Sequence, residues 1–245
     1  MTGRLGKYSL WQFRDFFMQH GIGIAIIGLL WGYTLLAPLR AAMSPQTPMP
    51  MGPGSPIWGL VLQITSAVVS VSVLIAMNGI VATDRKNGYY RFLFSKPINR
   101  VLYYAQTFLV YMIGVLLIMA ILSALLRMIV PSFNVAYFLL YAALVYVAMG
   151  GIGFLLSVAT RYDWLTLAAV WLGARILRAI YSGPHAGFKG KLVQVLPPVH
   201  RLDDVANSLI GTGSAPASDV VWLVGYGLLC FVIGLAVLRY GSLAD

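Results

Sequence analysis

Residues 82–106 read ATDRKNGYYRFLFSKPINRVLYYAQ, a charged interruption in an otherwise very apolar chain. Five of the 17 Lys and Arg residues fall here, at Arg85, Lys86, Arg91, Lys96 and Arg100. Between them stand Tyr89, Tyr90, Phe92, Leu93 and Phe94, too many large apolar groups for a loop that is simply solvated. Something should cover them. A short helix fits the pattern: Asp84 or Asn87 can cap its start, Pro97 ends it near Ser95, and its aromatic face suits a groove or a membrane surface.

The rest of the chain says which surroundings apply. With 60% hydrophobic and 10% charged residues and a mean hydropathy of +0.83, the composition lies outside the range of soluble domains. The reading is an all-α integral membrane protein. The seven acidic residues are all Asp, so the net charge of +10 reflects scarce acids as much as abundant bases. Bases beside membrane spans explain that charge better than nucleic-acid binding. Cys230 is the only cysteine, which excludes an intramolecular disulfide.

Apolar runs cover 21–37, 57–82, 108–126, 135–159, 164–181 and 220–238. Most approach or exceed the roughly 20 residues that cross a bilayer as helix, and six spans are expected. In the fifth, Arg175 and Arg178 sit one turn apart near the end, where they either snorkel to the interface or face the bundle interior. An even count puts both termini on one side. Assigning the termini, the 84–106 loop and the 160–163 turn to the cytoplasm gathers Arg4, Lys7, Arg14, Arg85, Lys86, Arg91, Lys96, Arg100, Arg161 and Arg239 there, the majority of the bases.

Residues 1–20 are basic and aromatic, with Leu10, Phe13 and Phe17 at helical spacing, as in a helix lying in the membrane interface. The 38–56 loop holds six prolines and should be irregular. The 131–134 connection is short enough to force a tight antiparallel hairpin. The outer segment 182–218 carries His185, His200, Asp203 and Asp204, and a short amphipathic helix is expected after Pro198.

With the six spans in view, the 84–100 pattern resembles the first cytoplasmic loop of type-2 ATP-binding-cassette (ABC) permeases. Asp84, Arg85, Gly88, Ser95, Pro97 and Arg100 follow that family's order and spacing. Asp84 stands where Glu is usual, Tyr89 and Tyr90 replace a Thr-Leu type pair, and Asn99 replaces a small hydroxyl residue. The resemblance implies a coupling helix over 88–95 that docks on a separate ABC ATPase subunit. The implied contact set is Asp84, Arg85, Gly88, Tyr89, Tyr90, Phe92, Leu93, Phe94, Ser95, Pro97 and Arg100. It also implies a second permease subunit, homo- or heterodimeric, and a place in a bacterial cytoplasmic (inner) membrane with export as the direction. The N-terminal helix would be the family's amphipathic connecting helix. ATP and Mg²⁺ would be held by the partner, since this chain has no Gly-x-x-x-x-Gly-Lys-Ser/Thr loop and is not itself expected to be an enzyme.

Other features carry competing readings. Gly28 and Gly32 could form a helix-pairing face, though small residues are common in spans. Gln63, Thr65, Ser66, Ser70, Ser72 and Asn78 make the second span polar: Gln63, Ser66, Ser70 and Asn78 could line a transport path, or the group could serve hydrogen bonding between and within helices. No metal or haem site has convincing spacing, because His20 lies far from His185 and His200 along the topology. The alternative to a permease is a non-transporting accessory subunit of a larger membrane complex, such as a respiratory or photosynthetic one. A lipid-modifying enzyme would need convergent acid, base or metal groups that seven scattered Asp residues do not supply.

Overall fold

The computed structural model describes residues 2–42, 55–82, 84, 99–160, 163–181 and 199–240. Among them there are helices and no strand. Helix α1 (Thr2–Phe16) passes through a π-helical turn (Phe17–Gly21) into α2 (Ile22–Ala42). Helix α3 (Pro56–Met77) follows, then α4 (Arg100–Ile129), α5 (Val135–Ala159), α6 (Asp163–Tyr181), α7 (Val199–Thr212) and α8 (Ala217–Tyr240). Among the described residues five stretches are long and apolar enough to cross a membrane: Tyr8–Leu35, Trp58–Met77, Arg100–Ile129, Val135–Ala159 and Ala217–Tyr240. The protein is therefore an all-α, multi-pass membrane protein. In α6 the described residues give a shorter apolar stretch, Leu165–Ala174, so five of the six spans that the sequence suggested are shown.

Local chemistry sets the helix ends. Ser55 Oγ accepts from Trp58 N–H at 3.1 Å, with Pro56 opening α3. Asn99 Oδ1 accepts from Val101 and Leu102 N–H at 3.0 and 3.4 Å and starts α4. Asn134 Oδ1 does the same for α5, with Ala136 and Tyr137. Several boundaries differ from the hydropathy runs. Helix α4 begins at Arg100 rather than 108, because the Asn99 cap acts before the chain becomes uniformly apolar. Helix α2 continues past Pro38 to Ala42, and α3 stops at Met77, where Asn78 turns extended and Gly79 takes a φ of +86°. That left-handed backbone suits a residue without Cβ.

Side-chain contacts show how the rods run. Ser9 meets Gln106, Gln12 meets Thr107 and Gly28 meets Leu122, so α1–α2 and α4 are parallel. Ser66 meets Tyr141 and Val81 meets Ser157, so α3 and α5 are parallel to each other. Phe108 in α4 meets Tyr146 and the face of Gly150, which makes α4 and α5 antiparallel. Gly227 lies against Val147 and Gly151, and Gly234 against Phe154, so α8 follows α5. One end of the bundle, the first end, thus collects the start of α1, the ends of α3, α5 and α8, and the starts of α4 and α6. At the second end α7 packs near Trp58, Leu62 and Tyr137. Helix α6 passes Leu167 beside Gly153 and contacts both α3 and α7, and so runs back from the first end toward the second.

The interior is apolar, and two tyrosine hydroxyls within it are bonded across helices. Tyr146 donates to the Phe108 carbonyl at 2.9 Å, and Tyr141 and Ser66 share a bond at 2.9 Å. Between α5 and α8 the backbones approach so closely that a Cβ on Gly151 would strike the Gly227 carbonyl, and one on Gly227 the Val147 carbonyl. Phe231 fills the neighbouring space, 4.4 Å from Phe108 and 4.9 Å from Phe154 between ring centres.

Candidate functional site

At the first end the chain leaves α3 through Gly79 and is pinned to α5, where Val81 N–H donates to Ser157 Oγ at 3.2 Å. Three residues later Asp84 Oδ2 accepts from the Tyr104 hydroxyl at 3.2 Å. Tyr104 is fully buried one turn into α4, with Tyr103 stacked edge-on beside it at 5.2 Å. The sequence suggested Asp84 as a cap for a short helix; the structure adds a cross-helix bond to a residue 20 positions away. Burial pushes the Asp84 carboxyl up to about 6; the Tyr104 bond pulls the other way, and the Asp15 charge adds to the rise.

Helix α1 completes this end. Gln12 Nε2 donates to Thr107 Oγ1, and Gln106 Nε2 donates to Ser9 Oγ, both at 2.7 Å. Below them Phe16 inserts against Gly114, where any Cβ would collide with its ring, and stacks 5.0 Å from Tyr111. His20 lies 5.6 Å from the same tyrosine. The buried stripe of the N-terminal rod is therefore Gln12, Phe16 and His20. Leu10, expected on the apolar face with Phe13 and Phe17, is 72% exposed, and Trp11 is 55% exposed. Phe13 and Phe17 are partly buried against the core. A polar side chain inside an apolar sequence was the available signal: Gln12 shares a helical stripe with Phe16 and His20.

Of the proposed ATPase-contact residues, Asp84 and Arg100 are described, and Arg100 is exposed at the start of α4. Arg85, Gly88, Tyr89, Tyr90, Phe92, Leu93, Phe94, Ser95 and Pro97 lie outside the described residues, as does His185. The side chains of Arg175, Arg178 and His200 also lie outside them. The four path-lining candidates do not share one surface. Gln63 and Asn78 are exposed, whereas Ser66 and Ser70 are buried. Ser66 bonds Tyr141, and Ser72 bonds the Val68 carbonyl of its own helix. Gly28 is occupied by Leu122 within the chain, while Gly32 has open space around it. Among the described residues no three His, Cys, Asp or Glu side chains gather as a metal site.

The arrangement ties the ends of two segments together. Asp84 and Asn99–Arg100 bring the two ends of the charged stretch to the ends of helices, and Tyr104 ties one end to the helix that begins at the other. A displacement of the intervening residues would be felt by both α3 and α4. Compared with protein-family models, curated proteins and solved structures, the chain matches none.

Proposed function

We propose that this chain is the membrane-spanning permease subunit of a bacterial ABC exporter. It pairs with a second permease subunit and is driven by separate ATPase subunits docked on residues 88–95. The observation that carries the reading is the geometry at the first end: the stretch with the permease-like pattern begins at an aspartate bonded into α4 and ends at the capped start of α4. Closure of the ATPases would press on 88–95, and the Asp84–Tyr104 bond would pass the load to α3 and α4, tilting them and changing which side of the membrane a central path faces. The direction of α6 supports counting it as a sixth span, with Arg175 and Arg178 near its second-end terminus. Both termini and the 85–98 segment are then cytoplasmic, in keeping with the distribution of bases.

Leu93→Asp would put an unpaired charge in the ATPase groove. The variant should insert and fold normally but lose co-purification with its ATPase partner, or keep it while ATP hydrolysis no longer moves cargo. Normal binding together with normal transport would reject the coupling helix and favour the accessory-subunit reading. Topology gives a second check. Asn87→Cys in a Cys230→Ser background should resist impermeant thiol reagents in intact cells, whereas Ser214→Cys should react.

A further inference from the structure

Between α2, α3 and α4, toward the second end, lies a cavity of about 340 Å³, within the lower part of the range of small-ligand sites, roughly 300–1,000 Å³. Its deeper wall is formed by Leu35, Val68, Phe133 and Phe138, all buried, and its mouth by Leu29, Tyr33 and Leu125, all exposed on candidate spans. The mouth therefore opens onto the surface that faces lipid. Thr65 is also in the wall, 6% exposed, and its hydroxyl makes no hydrogen bond among the described residues. Ser123, the other aliphatic hydroxyl in the lining, is committed to the Ala120 carbonyl at 3.0 Å. An ordered water needs about two to four polar partners, which this wall does not offer. A hydrocarbon chain needs none.

We propose that this cavity binds an acyl chain of a bilayer lipid from the leaflet at the second end. Thr65 stands nine residues into α3, roughly 14 Å along its axis, near the middle of a hydrocarbon core about 30 Å thick. Ile129 and Phe133 stand at the second end, by the turn between α4 and α5. The chain enters with its ester end near Ile129 and Phe133 and its methyl end near Thr65 and Leu122. The site is independent of any transport activity.

The full chain is reconstituted in vesicles of phosphatidylethanolamine and phosphatidylglycerol containing a phosphatidylcholine with a diazirine at the end of one acyl chain. After photolysis, adducts should concentrate on Thr65, whose O–H is a good carbene trap, and on Val68 and Leu122, above the level at Leu229 and Val232, which are exposed on α8. A diazirine beside the ester should instead mark Ile129 and Phe133. Gly32→Phe places a ring at the mouth, and a Cβ at Gly32 meets nothing within 4 Å, so the fold tolerates it. In that variant adducts at Thr65 should fall about tenfold, equivalent to about 1.4 kcal/mol of affinity, while those at Leu229 stay unchanged. Wild-type labelling of Thr65 no stronger than that of Leu229 would overturn the site. So would full labelling of Thr65 in the folded Gly32→Phe variant, and labelling of Thr65 by the ester-side probe would overturn the orientation.

Discussion

The α5–α8 seam and the first end of α1, α4 and Asp84 hold helices together by opposite means. Along the seam Gly151 and Gly227 bring backbone onto backbone, Gly234 admits Phe154, and Phe108, Phe154 and Phe231 fill what remains. At the first end the contacts are side-chain hydrogen bonds: Ser9 with Gln106, Gln12 with Thr107, and Asp84 with Tyr104. A seam made of shape has no intermediate setting, because close-packed backbones cannot slide without opening voids. Hydrogen-bonded hydroxyl and amide groups can turn to another partner without opening a void. The difference assigns the rigid part of the molecule to α5–α8 and the adjustable part to the end that carries the charged stretch.

The most severe way to break the comparison is Gly227→Leu. The obstructing atoms are the Val147 carbonyl and the Ala148 Cα, which have no rotamer to move into. Overpacking of about 3 kcal/mol or more is expected, seen as loss of the folded peak in detergent size-exclusion chromatography. Gly225→Leu, where a Cβ meets nothing within 4 Å, should stay within about 0.5 kcal/mol of the parent.

Asp84→Asn probes the other region. The folded state raises the Asp84 pKa from 3.8 to about 6, so it binds the proton more tightly than the unfolded chain does. The stability this contributes is fully present below the unfolded value and is lost as pH rises through the folded one. Stability should therefore fall between about pH 4 and pH 7, by up to about 3 kcal/mol, since each tenfold difference in proton affinity is worth roughly 1.4 kcal/mol. The Asn variant should flatten that profile and melt higher than the parent at about pH 7.5. A parent melting temperature independent of pH over this range would remove the buried carboxylate from the account.

Tyr104→Phe should cost about 1 kcal/mol and move the steep part of the pH profile upward, since the bond it removes is the one that lowers the Asp84 pKa. Gln106→Leu, at a partly buried pair, should have the smallest effect, about 0.5 kcal/mol. Both are read by thermal unfolding in detergent. An effect of Gln106→Leu as large as that of Gly227→Leu would erase the contrast between the two regions.

Hydropathy made the apolar rods legible, because a run of some twenty apolar residues has few other uses. It misjudged their ends where one cap mattered: Asn99 starts α4 among residues that look like loop. On α1 it drew attention to Leu10, Phe13 and Phe17 and passed over Gln12. Beside a membrane the outside is apolar as well, so Leu10 and Trp11 gain nothing by turning inward, while Gln12 gains a partner in Thr107. At the first end Asp84 was visible as a residue of interest, but its bond to Tyr104 was not, because it joins positions that only the return of α4 brings together.

The π-helical turn at Phe17–Gly21 acts as a splice with one spare residue. Gln12, Phe16, His20 and Ile24 are all buried at steps of four, and a plain α-helix would carry such a series around its axis by about 40° at each step. The wider turn holds back part of that drift. Removing one residue there would leave the phase as it is, whereas forcing the turn into plain α-helix with every residue kept would swing everything before it through about 100°. Ser9 and Gln12 would leave Gln106 and Thr107 while α2 kept its seat. The angular setting of the N-terminal helix is thus encoded by residue count in one turn, separately from the span that follows.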